Sequence, residues 1–181
     1  MSIRNTTLGG ATNWSDGEVL YATDLNDTFD AILNPSVGFF GGGTTGSYSN
    51  VIDTMAMIFG SFLYNTATDK GNLTVARQGL AGVNGSDYGF FGGGHAGSYS
   101  NVIDYIDITT TTGNATDKGD LTVARGYLAG VSGSDYGFFG GGYTGSYSNV
   151  IDYIDITTTT GNATDKGDLT VARRYLAGVS T

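Results

Sequence analysis

The chain of 181 residues contains no cysteine, one proline, one histidine and one tryptophan, and sets only 8 Lys and Arg against 17 Asp and Glu. Without cysteine there is neither a disulfide framework nor a thiolate metal site. A net charge of −9 leaves few cations to neutralise phosphates, which disfavours nucleic-acid binding and a polybasic membrane contact. No run approaches the ~18 apolar residues of a membrane span, so membrane insertion is not expected. Met1 to Thr7 carries no apolar stretch of the kind found in a Sec signal peptide. What is abundant is glycine, 31 residues of it, which argues against long helices because each interior Gly costs ~1 kcal/mol relative to Ala. Collagen is excluded by the missing Gly-X-Y period. Apolar residues at 39% and aromatics at 12% suffice to bury a core.

Internal repetition dominates. Units open at Gly38-Phe39-Phe40-Gly41-Gly42-Gly43, at Gly89-Phe90-Phe91-Gly92-Gly93-Gly94 and at Gly137-Phe138-Phe139-Gly140-Gly141-Gly142. They divide the chain into 38–88, 89–136 and 137–181, after an N-terminal segment 1–37. The second and third units differ only at His95/Tyr143, Ala96/Thr144 and Gly126/Arg174 over 44 compared positions. The first diverges most between Thr54 and Asn65.

Each unit reads as short strands. Two apolar runs, Tyr127 to Val131 and Tyr136 to Phe139, flank Ser132-Gly133-Ser134-Asp135 and predict a hairpin. Val150 to Ile156 is rich in β-branched and aromatic residues, and both of its faces are substantially apolar, so its sheet is expected to be covered on both sides. A fourth, shorter strand is expected at Asp168 to Ala172, after a turn at Asn162 to Gly167. About four antiparallel strands per repeat, packed on both faces, describe a propeller blade. The expected fold is all-β.

The glycine run after an aromatic strand (Phe138 to Gly142), the strand Val150 to Ile156 and the late segment Leu169 to Arg173 resemble the kelch repeat, without its late Trp. Gly113-Asn114-Ala115-Thr116-Asp117-Lys118-Gly119-Asp120-Leu121 is similar to GNAxDxGDL-type repeats of predicted tail-fibre and adhesin-like proteins of bacterial viruses. The stretch carrying Gly17, Glu18, Val19, Leu20, Ala22, Asp24, Leu25, Asn26 and Phe29 resembles a segment near the start of phage tail-fibre proteins. These resemblances imply kelch-like blades, a virion or extracellular location, and a trimeric fibre.

Three blades are too few to close a ring. An open arc exposes two apolar faces, and covering them supplies a drive on the order of ten kcal/mol before ordering costs. A homo-oligomer is therefore expected, whether a trimer, a ring closed by two chains, or a filament. In the N-terminal segment, Thr23 is placed to cap a helix from Asp24 to about Leu33, stopped by Asn34-Pro35. Its apolar stripe of Leu25, Phe29 and Ile32 is the expected oligomer contact, since so short a helix is not stable alone.

Catalytic constellations are poor. His95 is replaced by Thr44 and Tyr143 in the sister units, so a general-base role is not assigned. Asp104, Asp107, Asp152 and Asp155 supply carboxylates for a glycosidase-like pair, but acids at alternate strand positions are expected to act as hydrogen-bond acceptors. Asn114, Asp117 and Asp120 offer oxygen ligands to Ca²⁺ without EF-hand spacing; no cofactor is assigned. Arg77, Arg125 and Arg173 recur at one position and are expected to tie blades together, through Asp69, Asp117, Asp165 or an acid of the neighbouring blade. The variable loop residues Thr44, His95, Tyr143 and Arg174, with Tyr99, Tyr147 and Tyr175, are the ligand-binding candidates, because aromatic rings with polar tips stack on sugars. The expected function is a non-enzymatic structural protein of virion-fibre or adhesin type that binds a host-surface glycan. The alternatives are a subunit of an extracellular helical filament, and a propeller lectin or glycan hydrolase.

Overall fold

A computed structural model describes residues 4–7, 10–13, 36–57 and 66–181. Among the described residues there is no helix, and the protein is all-β. The expected helix with Leu25, Phe29 and Ile32 lies outside the described residues. The chain divides into two compact units. The first, Met1–Gly38 with Ala56–Asn65, contains the antiparallel pair β1 (Arg4–Thr7) and β2 (Gly10–Asn13). The second, Phe39–Met55 with Thr66–Thr181, carries the repeats.

The repeats form three sheets. The first has the order β3 (Ser36–Gly41), β4 (Val51–Met57), β5 (Thr68–Asn72). The second is the antiparallel meander β6 (Ala81–Asn84), β7 (Tyr88–Gly92), β8 (Val102–Asp107), β9 (Thr116–Asp120). The third repeats it with β10 (Ala129–Ser132), β11 (Tyr136–Gly140), β12 (Val150–Asp155) and β13 (Thr164–Asp168). Register recurs with sequence: Val83 faces Phe90 as Val131 faces Phe138. A bulge follows Ile52, Ile103 and Ile151 alike. The hairpin expected around Gly133 is present, with its N–H donating to the Tyr136 carbonyl at 2.7 Å. Each four-stranded sheet takes its first strand from the Leu-Ala-Gly-Val run that closes the preceding sequence unit, so the repeat in the chain and the repeat in the fold are offset.

The fourth strand differs from expectation. It is Thr164–Asp168, within the stretch read as a turn, and Leu169 to Ala172 leaves the sheet. The second repeat shows why. Leu121 is 3% exposed within the core against the next sheet, and the Thr122 hydroxyl donates to Asp152 of that sheet at 2.5 Å. The β-branched and aliphatic residues are used between sheets, and the polar TDKGD stretch closes the edge.

Two apolar clusters fill the two joints. Ile52, Leu73, Phe91, Ile106 and Ala115 lie between the first and second sheets. Ala81, Val83, Phe90, Ile103, Leu121, Leu128, Phe139 and Ile154 belong to the cluster between the second and third. Burying one such side chain fully is worth about 1.5–3 kcal/mol. The separation between sheets grows across their width. At the first strands the backbones touch, because a Cβ on Gly130 of β10 would collide with the Gly82 carbonyl of β6. At the second strands one ring intervenes: Phe139 lies so close that a Cβ on Gly92 would sit 2.8 Å from it. At the fourth strands a loop fills the gap. Gly113 and Ala115 donate backbone hydrogen bonds to Lys70 and Asn72, and the Lys70 ammonium donates to the Thr110 carbonyl at 2.7 Å. The next joint reproduces this with Lys118 and Thr158 at 2.7 Å. Burial lowers the pKa of both lysines, partly opposed by Asp107 and Asp155 respectively.

Candidate functional site

The loops β3–β4, β7–β8 and β11–β12 emerge on one edge of the sheets and share one turn. Backbone bridges join Thr44 to Tyr48, His95 to Tyr99 and Tyr143 to Tyr147. Inside each, Thr45, Ala96 or Thr144 donates to the carbonyl of the serine two residues on. Neighbouring repeats are then tied at this edge. Gln78 and His95 exchange backbone hydrogen bonds at 3.0 and 2.8 Å, as do Gly126 and Tyr143 at 3.0 and 2.8 Å.

This tying assembles a column of rings. Tyr48 meets His95 at 5.6 Å between centroids, His95 meets Tyr99 at 5.0 Å, Tyr99 meets Tyr143 at 5.7 Å and Tyr143 meets Tyr147 at 5.7 Å. All four contacts are edge-on, the arrangement favoured by ring quadrupoles. Tyr48 Oη and His95 Nδ1 are hydrogen-bonded at 2.9 Å. A second column runs beside it. Tyr127 and Tyr175 lie tilted against each other with ring centroids 4.7 Å apart, and Tyr175 donates a backbone hydrogen bond to Tyr127, which donates one to Gly79. Among the described residues, Tyr127 (φ 59°) and Tyr175 (φ 57°) are the non-glycine residues with positive φ, a conformation that costs about 1–3 kcal/mol and is held only by its surroundings. The first repeat has Gly79 there, with φ 64°, and a Cβ at that position would lie 2.6 Å from the Tyr127 ring.

Arg174 joins the columns. Its guanidinium carbon lies 4.5 Å from the Tyr143 ring centroid, 5.0 Å from Tyr175 and 5.6 Å from Tyr147. A depression of about 340 Å³ opens here, lined by Tyr147, Ala172, Arg173, Arg174 and Tyr175. Desolvation, and then the nearby phenols of Tyr127 and Tyr143, push the Tyr99 hydroxyl above the ordinary phenol range, while Arg174 opposes the shift. The seven expected ligand-binding residues therefore lie on one edge, six with side chains in or against the columns. Thr44 contributes only backbone. Tyr48 and Tyr127 were not singled out from the sequence, although Tyr48 occupies the same Gly-Ser-Tyr-Ser-Asn slot as Tyr99 and Tyr147.

Two of the three recurrent arginines, Arg77 and Arg125, bridge sheets. Arg77 pairs with Asp104 at 3.0 Å and Arg125 with Asp152 at 3.1 Å, all four side chains fully buried. Each arginine also donates to a carbonyl, of Phe91 or Phe139, at 3.0 and 2.9 Å. Asp117 and Asp165 are exposed and add only a longer-range attraction. Arg173 is exposed. Asp104 and Asp152, candidates for a carboxylate pair, are thus consumed in the joints. Each also accepts from the hydroxyl and the N–H of a threonine, Thr74 or Thr122. Asp107 and Asp155 accept from the hydroxyls and N–H groups of Thr109 and Thr157, which hold their carboxyls below the ordinary range. Asn114 Oδ1, weighed as a calcium ligand, accepts from the Asn72 N–H at 3.0 Å and works as an inter-sheet clamp. Among the described residues no group of three His, Asp or Glu is arranged to hold a metal, and no helix is long and apolar enough to cross a membrane. No family model matches the chain, and no curated protein matches it.

Proposed function

We propose that this chain is a non-enzymatic structural protein of virion-fibre or adhesin type, self-associating and binding a surface glycan through the aromatic edge. The observation that carries the binding reading is the continuous column Tyr48, His95, Tyr99, Tyr143, Tyr147, with Arg174 beside its far end. Tyr147 and Tyr175 are 59% and 68% exposed, so ring surface and hydroxyls are both available. Such rings offer a sugar stacking area with little side-chain entropy to lose, and an arginine adds paired donors for hydroxyls or a sugar carboxylate. The sheets themselves are read as kelch-like propeller blades. Support comes from the widening joint, which passes from touching backbones to one ring to an inserted loop, as a wedge around an axis requires. The segment 1–37, with its resemblance to the start of tail-fibre proteins, is assigned attachment to a virion.

A glycan array probed with the full chain tests the reading. Binding should fall at least tenfold in Tyr147→Ala and in Arg174→Ala, while Tyr105→Ala, half-buried against the core cluster, should leave any bound glycan's affinity unchanged. Bound sugars should be recovered unaltered. Array binding that ignores both edge substitutions, or turnover of a bound sugar, would refute it.

A further inference from the structure

The two ends of the stack expose complementary halves of one internal joint. Within the chain, that joint has four parts. An arginine after the last strand of one sheet pairs with an aspartate of the next, as in Arg77–Asp104 and Arg125–Asp152. The same arginine donates to a phenylalanine carbonyl, that of Phe91 or Phe139. The ring of that phenylalanine packs on a glycine of the earlier sheet, Phe91 on Gly41 and Phe139 on Gly92. Finally, a Leu-Ala-Gly-Val run crosses over to become the first strand of the later sheet, as β6 and β10 do.

Each part is present and unused at an end. Arg173 is exposed, where Arg77 and Arg125 are fully buried. Asp53, the counterpart of Asp104 and Asp152 after the bulge, is only partly buried and makes no ion pair among the described residues. Phe40 is 62% exposed, against 8% for Phe91 and 0% for Phe139. A Cβ on Gly140 would meet nothing closer than 3.8 Å. Leu176-Ala177-Gly178-Val179 repeats the strand-forming run but is not in a sheet, and Val179 is 92% exposed where Val83 is 6% exposed. The first sheet meanwhile has three strands among the described residues, without a counterpart of β6 or β10.

We infer that the open face of the third sheet binds a second copy of this chain by its first sheet. Arg173 pairs with Asp53 of the second copy, Phe40 of the second copy packs on Gly140, and the segment 177–180 adds as first strand beside β3. The internal register, Ala129 opposite Gly140 and Ser132 opposite Gly137, carries over to Ala177 opposite Gly41 and Ser180 opposite Gly38. The inference rests on the proposed self-association and specifies its interface. Opposite charges meet only in this head-to-tail sense; head-to-head contact would oppose Asp53 to Asp53.

Sedimentation of the full-length chain tests this, because Arg173 and Asp53 are not buried and their replacement should leave the fold intact, as circular dichroism would show. The wild type should sediment as a multiple of 18.7 kDa. Arg173→Glu and Asp53→Arg should each sediment as the single chain. The doubly substituted chain, whose swapped charges again attract, should regain the wild-type mass, as should an equimolar mixture of the two single variants. Gly140→Val should also prevent association without altering the fold. A monomeric wild type, single variants of wild-type mass, or a double variant that stays monomeric would each overturn the interface. Glycan binding measured on the monomeric Asp53→Arg variant separates the two readings, since Asp53 is not among the residues that line the depression at the aromatic edge.

Discussion

Replacing Asp152 by alanine isolates the energy of one joint, and the repeat supplies its own control. Asp152 accepts from Arg125 at 3.1 Å, from the Thr122 hydroxyl at 2.5 Å and from the Thr122 N–H at 3.2 Å. Removing it leaves a fully buried guanidinium whose Nε already has no hydrogen-bond partner. Breaking one partner of a buried ion pair costs about 3–5 kcal/mol, chiefly through the charge left uncompensated. The orphaned Thr122 groups share the same site, so their cost is not simply added; a total of about 4 kcal/mol is expected. Urea unfolding reads it directly. With a slope of about 2 kcal/mol per M, the midpoint should fall by about 2 M. Asp53→Ala removes the equivalent side chain where no arginine faces it, and should stay within about 0.5 kcal/mol of wild type at a concentration that keeps the chain monomeric. Adding Arg125→Met to Asp152→Ala should recover most of the loss, because no unpaired charge remains. Amide exchange should show the loosening concentrated in β10–β13, since repeats are coupled through nearest neighbours. A cost below about 1 kcal/mol for Asp152→Ala, or equal costs at Asp53 and Asp152, would refute the assignment of stability to this pair.

Two further outcomes follow from local geometry. Gly92→Ala places a Cβ 2.8 Å from the Phe139 ring and should destabilise by about 1–3 kcal/mol through overpacking, whereas Gly140→Ala, at the equivalent position with open space, should change the monomer's unfolding midpoint little; equal effects would show that the ring does not hold the joint. The Asp155 carboxyl, kept below the ordinary range first by the Thr157 hydroxyl and then by its N–H, contributes stability that is present above that range and is lost as pH falls through its depressed folded pKa. Thr157→Val should raise the NMR titration midpoint of Asp155 toward that of a free aspartate and weaken the acid dependence of unfolding; an unmoved midpoint would remove the hydroxyl as the cause.

The repeat length, the all-β class, the hairpin at Ser132 to Asp135 and the strand at Val150 were legible in the sequence because each depends on local chemistry. Glycine in tight turns, β-branched and aromatic runs, and near-identical copies all act within a few residues. The variable and aromatic loop residues were legible for a related reason: a repeated scaffold returns equivalent positions to one edge. Partners across the joints were not. From the sequence, Arg125 had Asp117, Asp165 and every neighbouring acid before it, and only packing buried Asp152 beside it and left Asp165 in solvent. Packing likewise took Leu121 and Thr122 out of the strand that their β propensity favours, because burial between sheets outweighs a local preference of under ~1 kcal/mol. The clearest case is the phenylalanine that repeats as Phe40, Phe91 and Phe139. Sequence assigns all three the same strand position, but a side chain is buried only where another sheet lies against it, and tertiary structure supplies that neighbour to Phe91 and Phe139 and leaves Phe40 exposed.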